Sequence, residues 1–251
     1  MAEITYYEAA GNRFAIVESR DAVARVLGSP AMKGLSLDGV LVCTAPNAGG
    51  DCRMEIINRD GTESAACGNG LRCIAHFAFE RGMARDRLTI ETLAGSRTAE
   101  VVTRGSTDTV RTSMGRPRID ALYANVEGHP AAIVDMGNPH CVLFVDDVDT
   151  APVAQIGAHL EHHARFPQRA NVEFVQLGDE SVRLRVWERG VGETAACGTG
   201  ASAVAAVAIQ RKLMSSPIVI HLPGGTLTAS WDGSNELFLE GPVGPLALVR
   251  T

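Results

Sequence analysis

Short apolar and β-branched runs, several alternating with polar residues, recur along the chain and predict strands over residues 4–7, 14–17, 39–43, 52–57, 88–92, 98–102 and 109–113. A second series follows over 131–135, 141–145, 172–176, 182–187, 218–222, 226–231 and 237–239. Between them the pattern changes period. Leu71, Ile74, Ala75, Phe77 and Ala78 fall at helical spacing, which predicts a helix over 69–81 stopped by Gly82. A second helix over 200–213 carries alanine on nearly every face, as suits a helix enclosed by sheet. Shorter helices are expected over 21–27 and 151–163. Pro117, Tyr123 and the turn Gly128-His-Pro130 mark a crossing between halves.

The two series are copies. Glu63-Ser-Ala-Ala-Cys67-Gly68-Asn69-Gly70 returns as Glu193-Thr-Ala-Ala-Cys197-Gly198-Thr199-Gly200, an offset of 130 (197 less 67). The same offset pairs Met54, Ile56, Asn58 and Arg59 with Leu184, Val186, Glu188 and Arg189, and Leu88, Ile90 and Gly95 with Ile218, Ile220 and Gly225. A duplicated half-domain accounts for this. The expected class is α+β: two pseudo-symmetric halves, 1–116 and 117–251, each a curved, mostly antiparallel sheet around a central helix. The final residues 246–249 are expected to pair back with the first half.

Composition narrows the function. A chain of 251 residues with 45% hydrophobic and 21% charged residues is ordinary for a soluble globular protein. Its net charge of -6 supplies no basic footprint, so neither nucleic acid nor an anionic membrane is an expected partner. The N-terminus shows no secretory signal and no apolar run reaches membrane-spanning length, so a cytoplasmic protein is expected. Six cysteines without a CxxC pair fit reduced thiols better than a disulfide framework or a zinc site. Cys43, Cys52, Cys73 and Cys141 read as core thiols, and the cluster His159, His162 and His163 as a solvated helix face.

Cys67 and Cys197 each stand in a loop just before a helix, beside the helix's free N–H groups, where an anion is favoured and a thiol is easier to ionise. Gly68, Asn69, Gly198 and Thr199 offer backbone N–H groups for a carboxylate. A carboxylate gripped by two such helix ends has its α-carbon between two sulfurs. That arrangement suits stereoinversion: a thiolate removes the α-proton from one face and a thiol returns one to the other. Glu188 and His140 are candidate proton acceptors that tune the pair. Glu63 and Glu193 are expected to brace their loops. The chain's lysines are Lys33 and Lys212, one in a loop and one at a helix end, so no pyridoxal cofactor is expected, and no metal.

These residues resemble the diaminopimelate epimerase family over nearly the whole chain. The resemblance rests on Asn58-x-Asp-Gly…Ala66-Cys67-Gly68-Asn69-Gly70-x-Arg72-Cys73, on Met136-Gly-Asn138-Pro-His140-Cys141, on Phe166-Pro-x-x-x-Asn171-Val-x-Phe174, and on Glu188-Arg189-Gly190-x-Gly192-Glu193 leading into Cys197. It implies that Cys67 and Cys197 are the acid/base pair, assisted by His140 and Glu188, in a cleft between the halves. It also implies that Asn12, Asn58, Asn138, Asn171, Glu188 and Arg189 hold the substrate, with Gly68, Asn69, Gly198 and Thr199 on the reacting carboxylate. A homodimer without cofactor is implied too. Arg189 beside Asn58 and Asn171 favours a substrate with a second ammonium and carboxylate, hence inversion of LL- to meso-diaminopimelate.

The chain departs from the family pattern in three places. Tyr7-Glu-Ala-Ala-Gly11-Asn12-Arg13-Phe14 keeps Asn12 and lacks its acidic neighbour, Asp38 is followed by Gly39 where some members carry a glutamine, and the 117–129 linker is short. Two alternatives stay open: a racemase or epimerase of proline, hydroxyproline or histidine type, and a redox or binding module with a Cys67–Cys197 disulfide.

Overall fold

The computed structural model describes residues 4–65, 67–105 and 107–246. The chain divides into two compact units, Met1–Thr112 with Gly241–Thr251, and Ser113–Glu240. The halves expected at 1–116 and 117–251 therefore differ from the units by four residues at the boundary and by the last segment. Of the expected pairing over 246–249, Leu246 donates its N–H to the Tyr6 carbonyl at 2.7 Å; residues 247–249 lie outside those described.

The first unit runs β1 (Thr5–Ala9), β2 (Asn12–Val17), α1 (Val23–Leu27), α2 (Ala31–Gly34), β3 (Gly39–Thr44), β4 (Cys52–Asn58), β5 (Glu63–Ser64), α3 (Gly68–Glu80), β6 (Arg87–Thr92), β7 (Gly95–Thr103) and β8 (Asp108–Gly115). The second runs β9 (Arg118–Val126), β10 (His129–Asp135), β11 (Pro139–Phe144), α4 (Val153–Glu161), β12 (Asn171–Leu177), β13 (Ser181–Glu188), β14 (Gly192–Thr194), α5 (Gly198–Gln210), β15 (Ile218–Leu222), β16 (Gly225–Ser230) and the start of β17 (Leu237–Pro245); the last three residues of β8 fall in the second unit and the last five of β17 in the first.

Each unit is a mostly antiparallel sheet with two parallel pairs. β2 lies parallel to β3 and β4 to β6 in the first; β11 lies parallel to β12 and β13 to β15 in the second. A parallel pair needs a crossover connection. α1 with α2, and α4, make the first crossover of each unit, while α3 and α5 make the second. These second helices both have thirteen residues. In α5 every residue from Gly198 to Ala208 is buried, so its all-round small apolar character reflects enclosure on every side.

The middle strands β3 and β12 are packed on both faces. On β3, Leu41 and Cys43 join the apolar cluster that includes Leu71, Ile74 and Phe77 of α3. Val40 and Val42, on the opposite face, join Val23 and Val26 of α1. On β12, Val172 and Phe174 pack with Val153 and Leu160 of α4, and α5 also packs on β12. α4 comes close to β13 only because residue 157 is glycine: a Cβ there would stand 2.5 Å from Trp187 Cβ.

The segment 117–130, expected to be a crossing, contains the nine-residue strand β9, paired antiparallel with β10. Its alternation is masked by exposed residues such as Arg118, Asp120 and Tyr123 and by two register irregularities against β10. The helix expected over 21–27 begins as a 3-10 turn over Arg20–Ala22 before α1. Among the described residues no helix is long and apolar enough to cross a membrane.

Candidate active site

The two cysteines occupy equivalent positions at the helix starts. Cys67 is the N-cap of α3, with φ -152° and ψ 113°, and its Sγ accepts from the Gly70 N–H at 3.3 Å. Cys197 is the N-cap of α5, with φ -135° and ψ 110°, and its Sγ accepts from the Gly200 N–H at 3.4 Å. An extended residue ahead of a helix turns its side chain back onto the free N–H groups of the first turn. Here the acceptor is sulfur, so the N–H groups of Gly70 and Gly200 at the helix starts favour negative charge on it. The second glycine of each motif is closely approached by a side chain of the neighbouring strand. A Cβ on Gly70 would lie 3.2 Å from Leu41 Cδ2, and one on Gly200 would lie 2.9 Å from Glu173 Oε1.

Around Cys67 the polar groups form a chain. Asn69, 1% exposed, donates through Nδ2 to Asn12 Oδ1 at 2.5 Å and accepts at Oδ1 from Arg72 Nη2. Asn12 donates in turn to Asp38 Oδ2 at 3.2 Å, an oxygen that also accepts the Arg13 N–H at 2.8 Å. Arg13 thus stands where the family pattern has an acid, and its guanidinium pairs with Glu8 at 2.8 Å across the β1–β2 hairpin. Arg72 is fully buried, with Nε and Nη1 lacking partners among the described residues. Burial lowers its guanidinium to about 10, against the opposing pull of Cys73 and Cys67. Asn58 does not join this chain: its Nδ2 donates to Thr62 Oγ1 at 3.0 Å and closes the β4–β5 turn.

Cys197 is 5% exposed, and its Sγ lies 3.5 Å from Thr199 Oγ1. Burial first, and then the charges of Glu188 and Glu173, push this thiol well above its ordinary value, opposed by Thr199 and the Gly200 N–H. Burial likewise raises Glu188, against hydrogen bonds from the Thr194 hydroxyl and Cys197. His140 is fully buried with Nδ1 2.6 Å from Glu173 Oε1 and Nε2 3.0 Å from Asn138 Oδ1. Asn171 accepts the Arg189 N–H at 2.9 Å and donates to the Pro139 carbonyl at 3.3 Å, so one carboxamide ties the starts of β11 and β12 to the end of β13. The Arg189 guanidinium donates to the Gln168 carbonyl at 3.0 Å.

Glu63 pairs with Arg20, and Glu193 with Arg185 at 2.7 Å, so both glutamates brace their loops. Cys43, Cys52, Cys73 and Cys141 are buried, and burial pushes Cys141 up to about 12. His159 pairs with Glu127 on the surface. Among the described residues no cluster of His, Cys, Asp or Glu could hold a metal.

Three buried charged residues, Arg72 in the first unit and Glu161 and Glu173 in the second, had no role in the sequence reading. Arg72 and Glu173 lie inside quoted motifs, and their signal was a charge within an otherwise apolar run. Glu161 is 3% exposed and accepts from Trp187 Nε1 and the Gly190 N–H, both at 2.8 Å, which holds the loop after Arg189. Nothing local in the sequence distinguishes it from a solvated helix glutamate.

Comparison with known proteins gives a concordant answer. The family model described as diaminopimelate epimerase matches residues 5–119 and 132–244. A diaminopimelate epimerase of Desulforudis audaxviator is 39% identical over 267 aligned positions, covering 96% of this chain and 95% of its own. One from Pseudomonas entomophila is 44% identical over 228, covering 83% and 82%. Among solved structures, a hydroxyproline epimerase from Agrobacterium vitis superposes with a TM-score of 0.73 at 16% identity, over 98% of this chain and 89% of its own. A phenazine biosynthesis protein of Bacillus anthracis reaches 0.74 at 15% identity, over 98% of each chain. At such identities the last two share the fold alone.

Proposed function

This chain belongs to the diaminopimelate epimerase family, and on that premise we propose that it interconverts LL- and meso-diaminopimelate, a step toward lysine and peptidoglycan precursors, with Cys67 and Cys197 moving the proton. The observation that carries the reading is the duplicated thiol: each unit caps its buried helix with a cysteine whose sulfur already accepts a helix N–H. In the reaction a thiolate takes the α-proton from one face of the carbon. The electron pair left behind spreads into the α-carboxylate, whose charge the N–H groups of Gly68, Asn69, Gly198 and Thr199 are suited to carry. The thiol on the other face then delivers its proton to the carbon, which inverts it and leaves thiol and thiolate exchanged. The reverse direction uses the same groups in swapped roles.

The raised Cys197 thiol supports a proton donor in the resting enzyme. His140 and Glu188 are the groups proposed to adjust the thiols. Asn12, Asn58, Asn138, Asn171 and Arg189 are proposed to hold the substrate, the last two at its second amino-acid end. No pyridoxal aldehyde is needed, because the α-carboxylate with its N–H donors takes the charge that a pyridoxal ring would otherwise accept. The acidic charge and reduced-thiol pattern support a cytoplasmic enzyme. A homodimer is inferred from family membership; a sedimentation mass equal to one chain would remove it.

Heavy water supplies the test. LL-diaminopimelate incubated with the protein is expected to gain one deuterium at the inverted α-carbon, while proline, hydroxyproline and histidine gain none. Label entering one of those amino acids but not diaminopimelate would replace this substrate with another of the same chemistry. No label in any of them would remove the epimerase reading.

A further inference from the structure

The two units set the same strands under their cysteine-capped helices and fill them differently. In the first, Leu41 of β3 stands opposite Ile56 on the antiparallel side and Ile16 on the parallel side. In the second, Glu173 of β12 stands opposite Val186 and Val142. Ile56 and Val186 are separated by the same 130 residues as the cysteines (186 less 56). Glu173 therefore occupies the place of Leu41, and His140, two residues before Val142, occupies that of Phe14, two before Ile16. Phe14 and Leu41 belong to an apolar cluster. Their counterparts are an imidazole and a carboxylate, both 0% exposed and 2.6 Å apart.

An ionisable pair buried where an apolar pair packs is a poor means of stabilisation, since apolar replacement is often neutral or favourable. Its position relative to the chemistry is specific. Glu173 Oε1 faces Gly200 at the start of α5, where the free N–H end of the helix favours negative charge. Its Oε2 has no partner among the described residues. A carboxylate against Nδ1 keeps the proton on that nitrogen and leaves Nε2 as the ring's exchangeable site. Nε2 meets the carboxamide of Asn138, which serves either state of the ring: Oδ1 accepts from Nε2–H, and Nδ2, after a half-turn, donates to bare Nε2.

We propose that Glu173 is a positioning residue of the reaction: from its seat against Gly200 it holds Nδ1–H of His140 and so presents Nε2 as the nitrogen that exchanges a proton. A proton passing from a thiol to Nε2 leaves a thiolate and an imidazolium, and Glu173 offsets the imidazolium charge. This rests on the reading of His140 as a partner of the thiols. The other titratable groups acting on the pair are Asp135 on β10, Cys141 on β11, Glu188 on β13 and Cys197 at α5. None of them donates to Oε2.

Two measurements test it. In the full chain labelled with 15N-histidine, with His140 assigned by loss of its signals in His140→Asn, the neutral ring is expected to carry its proton on Nδ1 and to leave Nε2 bare. A neutral ring protonated at Nε2 with Nδ1 bare overturns the proposal, and because no substrate is present, that result leaves the epimerase reading standing. In turnover, Glu173→Gln is expected to lower kcat by about 100-fold with KM nearly unchanged and to displace the pH profile, while Glu173→Asp recovers part of the rate. An unchanged kcat and pH profile in Glu173→Gln overturns it as well. The labelled wild-type chain gives its answer even if that variant does not fold.

Discussion

Alanine in place of either Cys67 or Cys197 is expected to lower epimerisation of LL-diaminopimelate by about 10²–10⁴-fold, the range associated with loss of a positioned acid or base. Inversion needs a proton taken from one face and another delivered to the opposite face, so neither sulfur substitutes for the other. The double variant is expected to be little worse than either single one, because groups that act as a unit lose most of their effect with the first removal. Folding is expected to survive. Each sulfur accepts one helix N–H, at 3.3 and 3.4 Å, and losing a cap costs about 1 kcal/mol. The check is steady-state inversion together with deuterium wash-in, on protein whose melting temperature has been compared with the wild type. Retention of half the activity by either variant would end the two-thiol account.

Phe174→Ala is expected to destabilise the second unit by about 3–5 kcal/mol, the usual range for removing a buried phenylalanine. Phe174 is 1% exposed on β12 and shares its cluster with Val153, Leu160 and Phe166. Val153 and Leu160 of α4 pack against it from the helix side. Urea unfolding is expected to show a lower midpoint with an unchanged slope. The same strand carries Asn171 and Glu173 on its other face, so activity is expected to be lost before global unfolding is complete. Val191, 75% exposed, is the contrast: Val191→Ala is expected to stay within about 0.5 kcal/mol of the wild type. A loss below about 1 kcal/mol in Phe174→Ala would mean that this cluster does not hold β12 in place.

What was legible in advance was what neighbours along the chain decide. The Cys-Gly-x-Gly repeats placed two helix starts, because an N-cap and the glycine that lets it close lie within four residues of each other. The 3.6-residue period of α3 showed a helix, and the all-round alanine of α5 showed that it is enclosed; the burial of α3 from Gly68 to Phe79 was not legible in its period. The strands hidden from this reading were β9, whose alternation is interrupted against β10, and β5 and β14, which at two and three residues are too short to show a period. The cysteines and the asparagine motifs could be named from order alone, yet their connections could not. Asn69 meets Asn12 across 57 positions and His140 meets Glu173 across 33. Those contacts depend on strand register, where a shift of one residue turns each side chain to the opposite face. Only the folded sheet decided that Glu173 looks toward α5 while Phe174, its immediate neighbour, looks toward α4.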